Sequence, residues 1–210
     1  MNFKCRFRSI ISLILLKTYF PKVIFKIIKN PQELEKVYEL TWQIYGVEKK
    51  YIDTTRFSPK IFKDKYEKHS TIVGAFLKDN LIGALRIIYF SPLGFYINED
   101  FNVDIPSSLS SEAVEISRLV VLKEYRKKGL ISFGLLKKAL ELSIQKKKKF
   151  WLVVISKNLK TYFEKSYGVK IYPLKVKELT EKQYETRSKM INYYKMLNPL
   201  PYIISLKEIY

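Results

Sequence analysis

The stretch from Glu112 to Lys149 constrains the fold of this chain more than any other. It opens on an apolar, β-branched run, Val114 to Leu122, whose composition predicts a buried strand. A basic turn follows, Glu124-Tyr-Arg-Lys-Lys-Gly129. Next comes a helical pattern with Leu136, Leu140 and Ile144 on one row and Leu135, Ala139 and Leu142 beside it. Lys137, Lys138, Glu141 and Gln145 take the opposite face. Phe150–Ile155 then reads as a second buried strand. Two apolar strands joined by an amphipathic helix form a crossover unit, which places them in parallel in one sheet. At the helix start, unpaired N–H groups and the positive end of the helix dipole can hold an anion such as phosphate. Gly129 lets the backbone turn and approach a ligand closely. Taken alone, the turn fits a solvated basic loop equally well, because short glycine motifs recur by chance.

The strand itself is more informative. Glu115, Ser117 and Arg118 interrupt its apolar run, and a sheet interior rarely takes a carboxylate and a guanidinium without a partner or a function. Residues two apart on a strand share a face, so Glu115 and Ser117 point one way and Arg118 the other. Both charges can line one cleft only if the strand bulges between them.

Val23–Ile28 reads as the first strand. Asn30-Pro31-Gln-Glu33 is a helix start, with Asn as N-cap, Pro at the first position and Glu at the third. Leu34, Val37, Tyr38, Thr41, Trp42 and Tyr45 fall on one face at helical spacing, a stripe most simply read as core. Asp64-Lys-Tyr66-Glu67 precedes a strand, Thr71–Leu77. Lys78-Asp-Asn80 turns a hairpin into Leu81–Phe90, a run that carries Arg86. His69 reads as a surface or capping residue. The polar connection 91–112 is long for a compact domain, as functional or mobile loops are. Thr180-Glu-Lys-Gln183 is a capping box opening a helix through Tyr184, Arg187, Ile191 and Tyr194. After Asn198-Pro-Leu-Pro201, residues Tyr202–Ser205 read as an edge strand.

These elements resemble the GNAT acyltransferase superfamily. There, Gln/Arg-x-x-Gly-x-Gly/Ala holds the pyrophosphate of coenzyme A; Arg126 and Gly129 match, and Ile131 stands where Gly or Ala is usual. Glu115-Ile-Ser-Arg118-Leu-Val-Val is similar to the Glu-x-Ser-Arg strand of the branch containing the acyl-homoserine-lactone synthases and the N-acyl amino acid synthases. Asp64 and Tyr66 match that branch's Asp-x-Phe/Tyr-Asp element, with Glu67 for the last Asp. Gly83 and Arg86 match its Gly-x-x-Arg strand. Thr41 and Tyr45 stand where the lactone synthases carry an Arg and a Phe tied to S-adenosylmethionine, which disfavours a lactone product.

The resemblance implies an α/β fold, a single GNAT-like domain over residues 21–210 with a mixed, splayed central sheet flanked by helices, and a bulge near Ser117–Val120 that brings Glu115 and Arg118 both to the cleft. It implies fatty acyl transfer from acyl carrier protein, through its phosphopantetheine arm, or from acyl-CoA, to the amine of an amino acid or similar small acceptor. It assigns catalysis to Glu115, Ser117 and Arg118, and donor binding to Val120, Val121, Arg126, Lys127, Lys128, Gly129, Leu130 and Ile131. Acceptor binding falls to Trp42, Tyr45, Asp64, Tyr66, Glu67 and Arg86. No metal is required. Asn158–Val169 is similar to a GNAT element whose tyrosine serves as general acid, but Phe163 occupies that place.

Two other classes compete. One is an acetyl-CoA-dependent N-acetyltransferase, against which Ile131 and Phe163 count. The other is a non-enzymatic basic protein that binds nucleic acid or a membrane surface, suggested by the net charge of +19 over 210 residues. Only seven of the 39 basic residues are Arg, so much of that excess reflects a Lys-rich composition. The same charge suits the acidic carrier protein. Nucleic acid is not expected as a partner. Residues 1–20, with Lys4, Arg6 and Arg8 before a short apolar run, form an N-terminal arm that could lie on a membrane surface. The single cysteine, Cys5, suits a reducing, cytoplasmic compartment.

Overall fold

The computed structural model describes residues 3–209, with the side chains of 10–60, 62–207 and 209. The side chains of Lys4, Cys5, Arg6 and Arg8 lie outside the described residues. The elements run α1 (Phe3–Tyr19), β1 (Val23–Ile28), α2 (Pro31–Trp42), β2 (Ser70–Leu77), β3 (Asn80–Tyr89), α3 (Ile97–Asp100), α4 (Ser107–Ser110) and β4 (Ala113–Val121). They continue with α5 (Leu130–Gln145), β5 (Phe150–Ile155), α6 (Lys157–Tyr167), β6 (Ile171–Pro173), α7 (Glu181–Ser188), α8 (Ile191–Leu197) and β7 (Leu200–Ser205). A π-helical turn, Gln43–Glu48, extends α2.

The seven strands form one mixed sheet in the order β1-β2-β3-β4-β5-β7-β6, in which β4 and β5 run parallel. This is the α/β architecture that the crossover pattern implies. Pairing between β4 and β5 covers only Ala113↔Phe150 through Ile116↔Val153. Beyond Ile116 the two strands part, and β4 continues alone beside β3 to Val121. The sheet is therefore splayed at its centre.

On one face α5 buries Leu130, Ile131, Leu135, Ala139 and Leu142 against Val73, Ile87, Val114 and Trp151. Gly134 lets this helix come close: a Cβ there would sit 2.1 Å from Phe25 Cζ on β1. The helix α1 packs across α5 and α6, burying Leu16 in the same cluster. No helix among the described residues is long and apolar enough to cross a membrane. On the other face lie α2, through Val37, Leu40 and Ile44, and the 91–112 connection.

Five expectations need correction. Ile144 is 41% exposed, because the buried arc of α5 centres on Leu135, Ala139 and Leu142 and Ile144 falls at its edge. The connection 91–112 is folded into α3 and α4 and buries Phe95, Ile97, Phe101 and Val103. The helix opened by Thr180 breaks at Met190, whose φ of −126° and ψ of 37° start α8 in a new direction. That break lets Met190 and Tyr193 pack on the aromatic cluster around Tyr45. The strand at 200–205 is internal, between β5 and β6, and the three-residue β6 forms the edge. Glu33 pairs with Lys26 Nζ instead of closing a capping box, while Asn30 caps α2 as expected. The Thr180–Gln183 box is complete.

Candidate active site

A bulge in β4 builds the site. Ala84 pairs with Val120 and Arg86 with Ser117, so Arg118 and Leu119 together face Leu85. Arg118 adopts φ +51°, the left-handed region that costs a side-chain-bearing residue about 1 kcal/mol or more. Two hydrogen bonds hold it there: Nη1 donates to the Phe62 carbonyl and Nη2 to Asp64 Oδ2, both at 2.6 Å. The irregularity is the one the alternation argument requires, and it turns Arg118 to the side of Ser117.

Asp64 joins two arginines. Its Oδ2 accepts from Arg86 Nη1 and Arg118 Nη2, each at 2.6 Å, while Oδ1 accepts the Tyr66 N–H at 3.0 Å. Arg86, only 2% exposed, also donates through Nε to Ser117 Oγ at 3.1 Å. Its Nη2 is buried and has no hydrogen-bond partner among the described residues. Burial, then the neighbouring Arg86 charge, pulls the Arg118 pKa below the usual arginine value. Tyr96 faces both guanidinium groups, 5.2 Å from that of Arg86 and 5.9 Å from that of Arg118.

A cavity of about 170 Å³ lies in front of the pair, lined by Ile28, Leu34, Tyr38, Glu67, Ser70, Ile72, Arg86 and Arg118. Arg86 and Arg118 are its cationic wall. Glu67 brings a carboxylate, which accepts a short hydrogen bond from the Tyr38 hydroxyl. Burial, and then this bond, push the Tyr38 pKa above the usual tyrosine range, so Tyr38 is a neutral donor at physiological pH. A smaller adjoining pocket adds Val37, Thr41 and Leu85.

Against the expectation that Glu115 and Arg118 both reach the cleft, Glu115 lines neither cavity, because the start of α3 covers it. It is 2% exposed, and its Oε2 accepts the Ile97 N–H at 2.9 Å, beneath the start of α3. Burial raises its pKa to about 7, against the opposing pull of that N–H and of Arg86. Tyr66 is likewise enclosed, donating to Glu99 Oε1 at 3.0 Å near the Phe95 and Leu93 carbonyls. Trp42 and Tyr45 belong to an aromatic cluster with Tyr51 and Phe62, on which Tyr193 of α8 stacks at 6.5 Å from Tyr45. Tyr38, Thr41, Tyr96 and Tyr193 had no site role in the sequence reading. Helical spacing reports Tyr38 and Thr41 only as core, and no local pattern reports Tyr96 or Tyr193.

At the open end of β4, Leu122 N–H donates to Ile82 on β3. By strand alternation the N–H and C=O of Val121 point away from β3, toward the splay. The Val121 carbonyl accepts from Arg126 Nε at 2.8 Å, which sets Arg126 at the mouth of that gap. Lys128 and Gly129 both adopt left-handed φ, +52° and +67°. A Cβ at Gly129 would touch nothing within 4 Å, so conformation and not space calls for glycine there. Lys127 and Lys128 reach over the Tyr19 ring, at 4.2 and 5.1 Å. Leu130 and Ile131 are buried in the first turn of α5. Ile131 fits because Gly83 lies beneath it; a Cβ at Gly83 would come within 3.3 Å of the Ile131 side chain.

A mixed sheet parted between two parallel strands, with a glycine turn and helix start at the mouth, defines an acyltransferase of the GNAT fold. Solved structures with this fold include the CoA-dependent acyl-homoserine lactone synthase BjaI, 15% identical, with 89% of this chain and 86% of that one covered at a TM-score of 0.64. The homoserine-lactone synthase LasI is 13% identical, covering 88% and 90% at 0.61. FeeM, an N-acyl amino acid synthase from uncultured soil microbes, is 14% identical, covering 87% and 89% at 0.55. No curated protein matches the chain in sequence. The family model described as N-acyl amino acid synthase FeeM matches residues 36–174. The chain belongs to that family and is an N-acyltransferase.

Proposed function

We propose that this enzyme moves a fatty acyl group from a thioester of acyl carrier protein, or of coenzyme A, to the amine of an α-amino acid or a similar small carboxylated amine. The observation that carries the acceptor class is the Arg86–Arg118 pair at the cavity wall, two guanidinium groups of which Arg86 Nη2, buried in this structure, has no hydrogen-bond partner among the described residues. An α-carboxylate supplies the missing acceptor and is neutralised by the Arg86–Arg118 pair. Glu67, with Tyr38 behind it, faces the ammonium group. Asp64 positions both arginines, and Ser117 fixes Arg86 through its Nε.

The donor arm lies in the splay between β4 and β5, and the Lys127–Ile131 turn with the start of α5 meets its phosphate. The amine nitrogen, once deprotonated, attacks the thioester carbonyl. The C–N bond forms, negative charge gathers on the carbonyl oxygen, and the C–S bond breaks as the thiolate leaves. The Val121 N–H, turned to the splay, donates to that oxygen; Val120 supports the strand from the β3 side. Glu115 takes the proton of the incoming ammonium group through water, at a pKa near neutrality that suits the task, and the proton the nitrogen sheds after attack passes to the departing thiolate, which leaves as the free thiol. Trp42, Tyr45 and Tyr66 shape the acceptor side from behind. Carrier protein is the preferred donor on this reading, because the net charge of +19 complements its acidic surface, and a cytoplasmic reaction goes with that donor. The segment 1–20 contributes membrane-surface contact through the exposed Ile10, Ile11 and Ile14 of α1, whose other side packs on α5 and α6. Mass spectrometry of lipid extracts from cells expressing the protein should reveal N-acyl amino acids. Extracts that contain only new homoserine lactones or acetylated amines would overturn the acceptor or donor class.

A further inference from the structure

The Arg126 guanidinium is already occupied. Its Nη1 and Nη2 donate to the two carboxylate oxygens of Glu48 at 2.5 and 2.6 Å, and its Nε donates to the Val121 carbonyl. Bonding to Arg126, and further to Lys49, holds the Glu48 pKa down at about 2, so the carboxylate is charged at every working pH. The two partners meet across the mouth of the splay, with Glu48 at the end of the π-helical turn and Arg126 in the turn before α5. Any donor phosphate that approaches this arginine must share it with, or take it from, a fixed carboxylate of this chain.

We propose that Glu48 is a donor-discriminating residue, an internal anion that selects against free coenzyme A thioesters and spares the carrier-bound arm. The inference rests on the donor site described above. Its physical basis is charge. The carrier-bound arm brings one phosphodiester, a single negative charge, to this mouth. Coenzyme A brings a pyrophosphate and a terminal phosphomonoester, which together repel Glu48 several-fold more at the same distance. A bidentate guanidinium–carboxylate pair is also geometrically the strongest competitor a phosphate can meet there. Glu48 thus weakens coenzyme A binding without touching the reacting atoms.

The test is calorimetric titration of coenzyme A itself into the wild-type protein, Glu48→Gln, Arg126→Ala and the double variant, each checked for native melting. Acyl transfer from matched carrier and coenzyme A thioesters is measured in parallel. Glu48→Gln should tighten coenzyme A binding by about threefold to tenfold, the range for releasing one well-aligned, partly exposed ion pair. It should lower KM for the coenzyme A ester at unchanged kcat and move KM for the carrier ester by less than about twofold. In the Arg126→Ala background the same substitution should lose the part of the gain that comes from freeing the guanidinium and keep only the part that comes from relieved repulsion. Unchanged or weaker coenzyme A binding by a folded Glu48→Gln protein would overturn the inference, as would equal shifts for both donors. Tighter binding with no acyl transfer by any protein would support Glu48 as the internal competitor and instead refute the acyltransfer reading.

Discussion

Replacing Asp64 with Asn tests how the site is held together. One oxygen, Oδ2, stands 2.6 Å from both Arg86 Nη1 and Arg118 Nη2, whose side chains are 3% and 15% exposed. Asn keeps the shape and removes the charge, so two guanidinium groups are left close together, largely out of water, with no counter-ion. At that separation and an effective dielectric near 20, each lost attraction is worth about 6 kcal/mol before desolvation is counted. Removing one partner of a buried ion pair costs about 3–5 kcal/mol in net stability. Against a total of about 5–15 kcal/mol for a domain of ordinary stability, that is a large fraction. Urea unfolding followed by circular dichroism measures it. Arg118→Met added to Asp64→Asn should recover part of the loss by removing one stranded cation, although Arg118 sits at a strained φ. An Asp64→Asn protein within about 1 kcal/mol of wild type would show that the cluster is solvated and that the arginines do not depend on Asp64.

Glu115→Gln should lower the rate of the bond-forming step by about 10²–10⁴-fold, the worth of a positioned general base, and should remove an acid limb of kcat/KM centred near pH 7. If Glu67→Gln removes that limb and Glu115→Gln does not, the base is the cavity carboxylate. Glu115 also makes a signed stability prediction: its folded pKa of about 7 lies above the ordinary glutamate value of 4.5. Its stabilising contribution is thus complete below about pH 4.5 and is lost as pH rises through 7, and Glu115→Gln should flatten that fall in urea titrations. Gly134→Ala places a Cβ 2.1 Å from Phe25 Cζ and should destabilise by about 1–3 kcal/mol despite the better helix propensity of Ala. A rise in melting temperature would show that Phe25 swings clear at no cost.

The central crossover was legible because two apolar, β-branched runs read as buried strands and the helix between them buries one coherent face. The charged cluster was legible for a related reason. Glu115, Ser117 and Arg118 interrupt an apolar strand, where polar groups need partners, while Asp64, Arg86 and the bulge were legible only through the resemblance to the acyl-homoserine-lactone and N-acyl amino acid synthases. What stayed hidden depends on contacts between distant segments. Tyr38 reads as core on the α2 stripe, and only the fold brings Glu67 to its hydroxyl. Glu48 and Arg126 meet across 78 positions of sequence. The enclosure of Glu115 depends on α3, which folds out of a segment with no periodic pattern. A three-residue strand such as β6 is too short to show alternation at all.

The central claim is acyl transfer from a thioester to the nitrogen of an amino acid, and liquid chromatography–mass spectrometry of a purified reaction tests it most directly. Long-chain acyl carrier protein is incubated with the enzyme and a mixture of the common amino acids, and free carrier thiol is counted alongside product. The account predicts an amide of one or more amino acids, formed in equal amount with the thiol and lost in Arg86→Ala. Thiol release without any amide, or acylation that ignores the acceptor carboxylate, would contradict it.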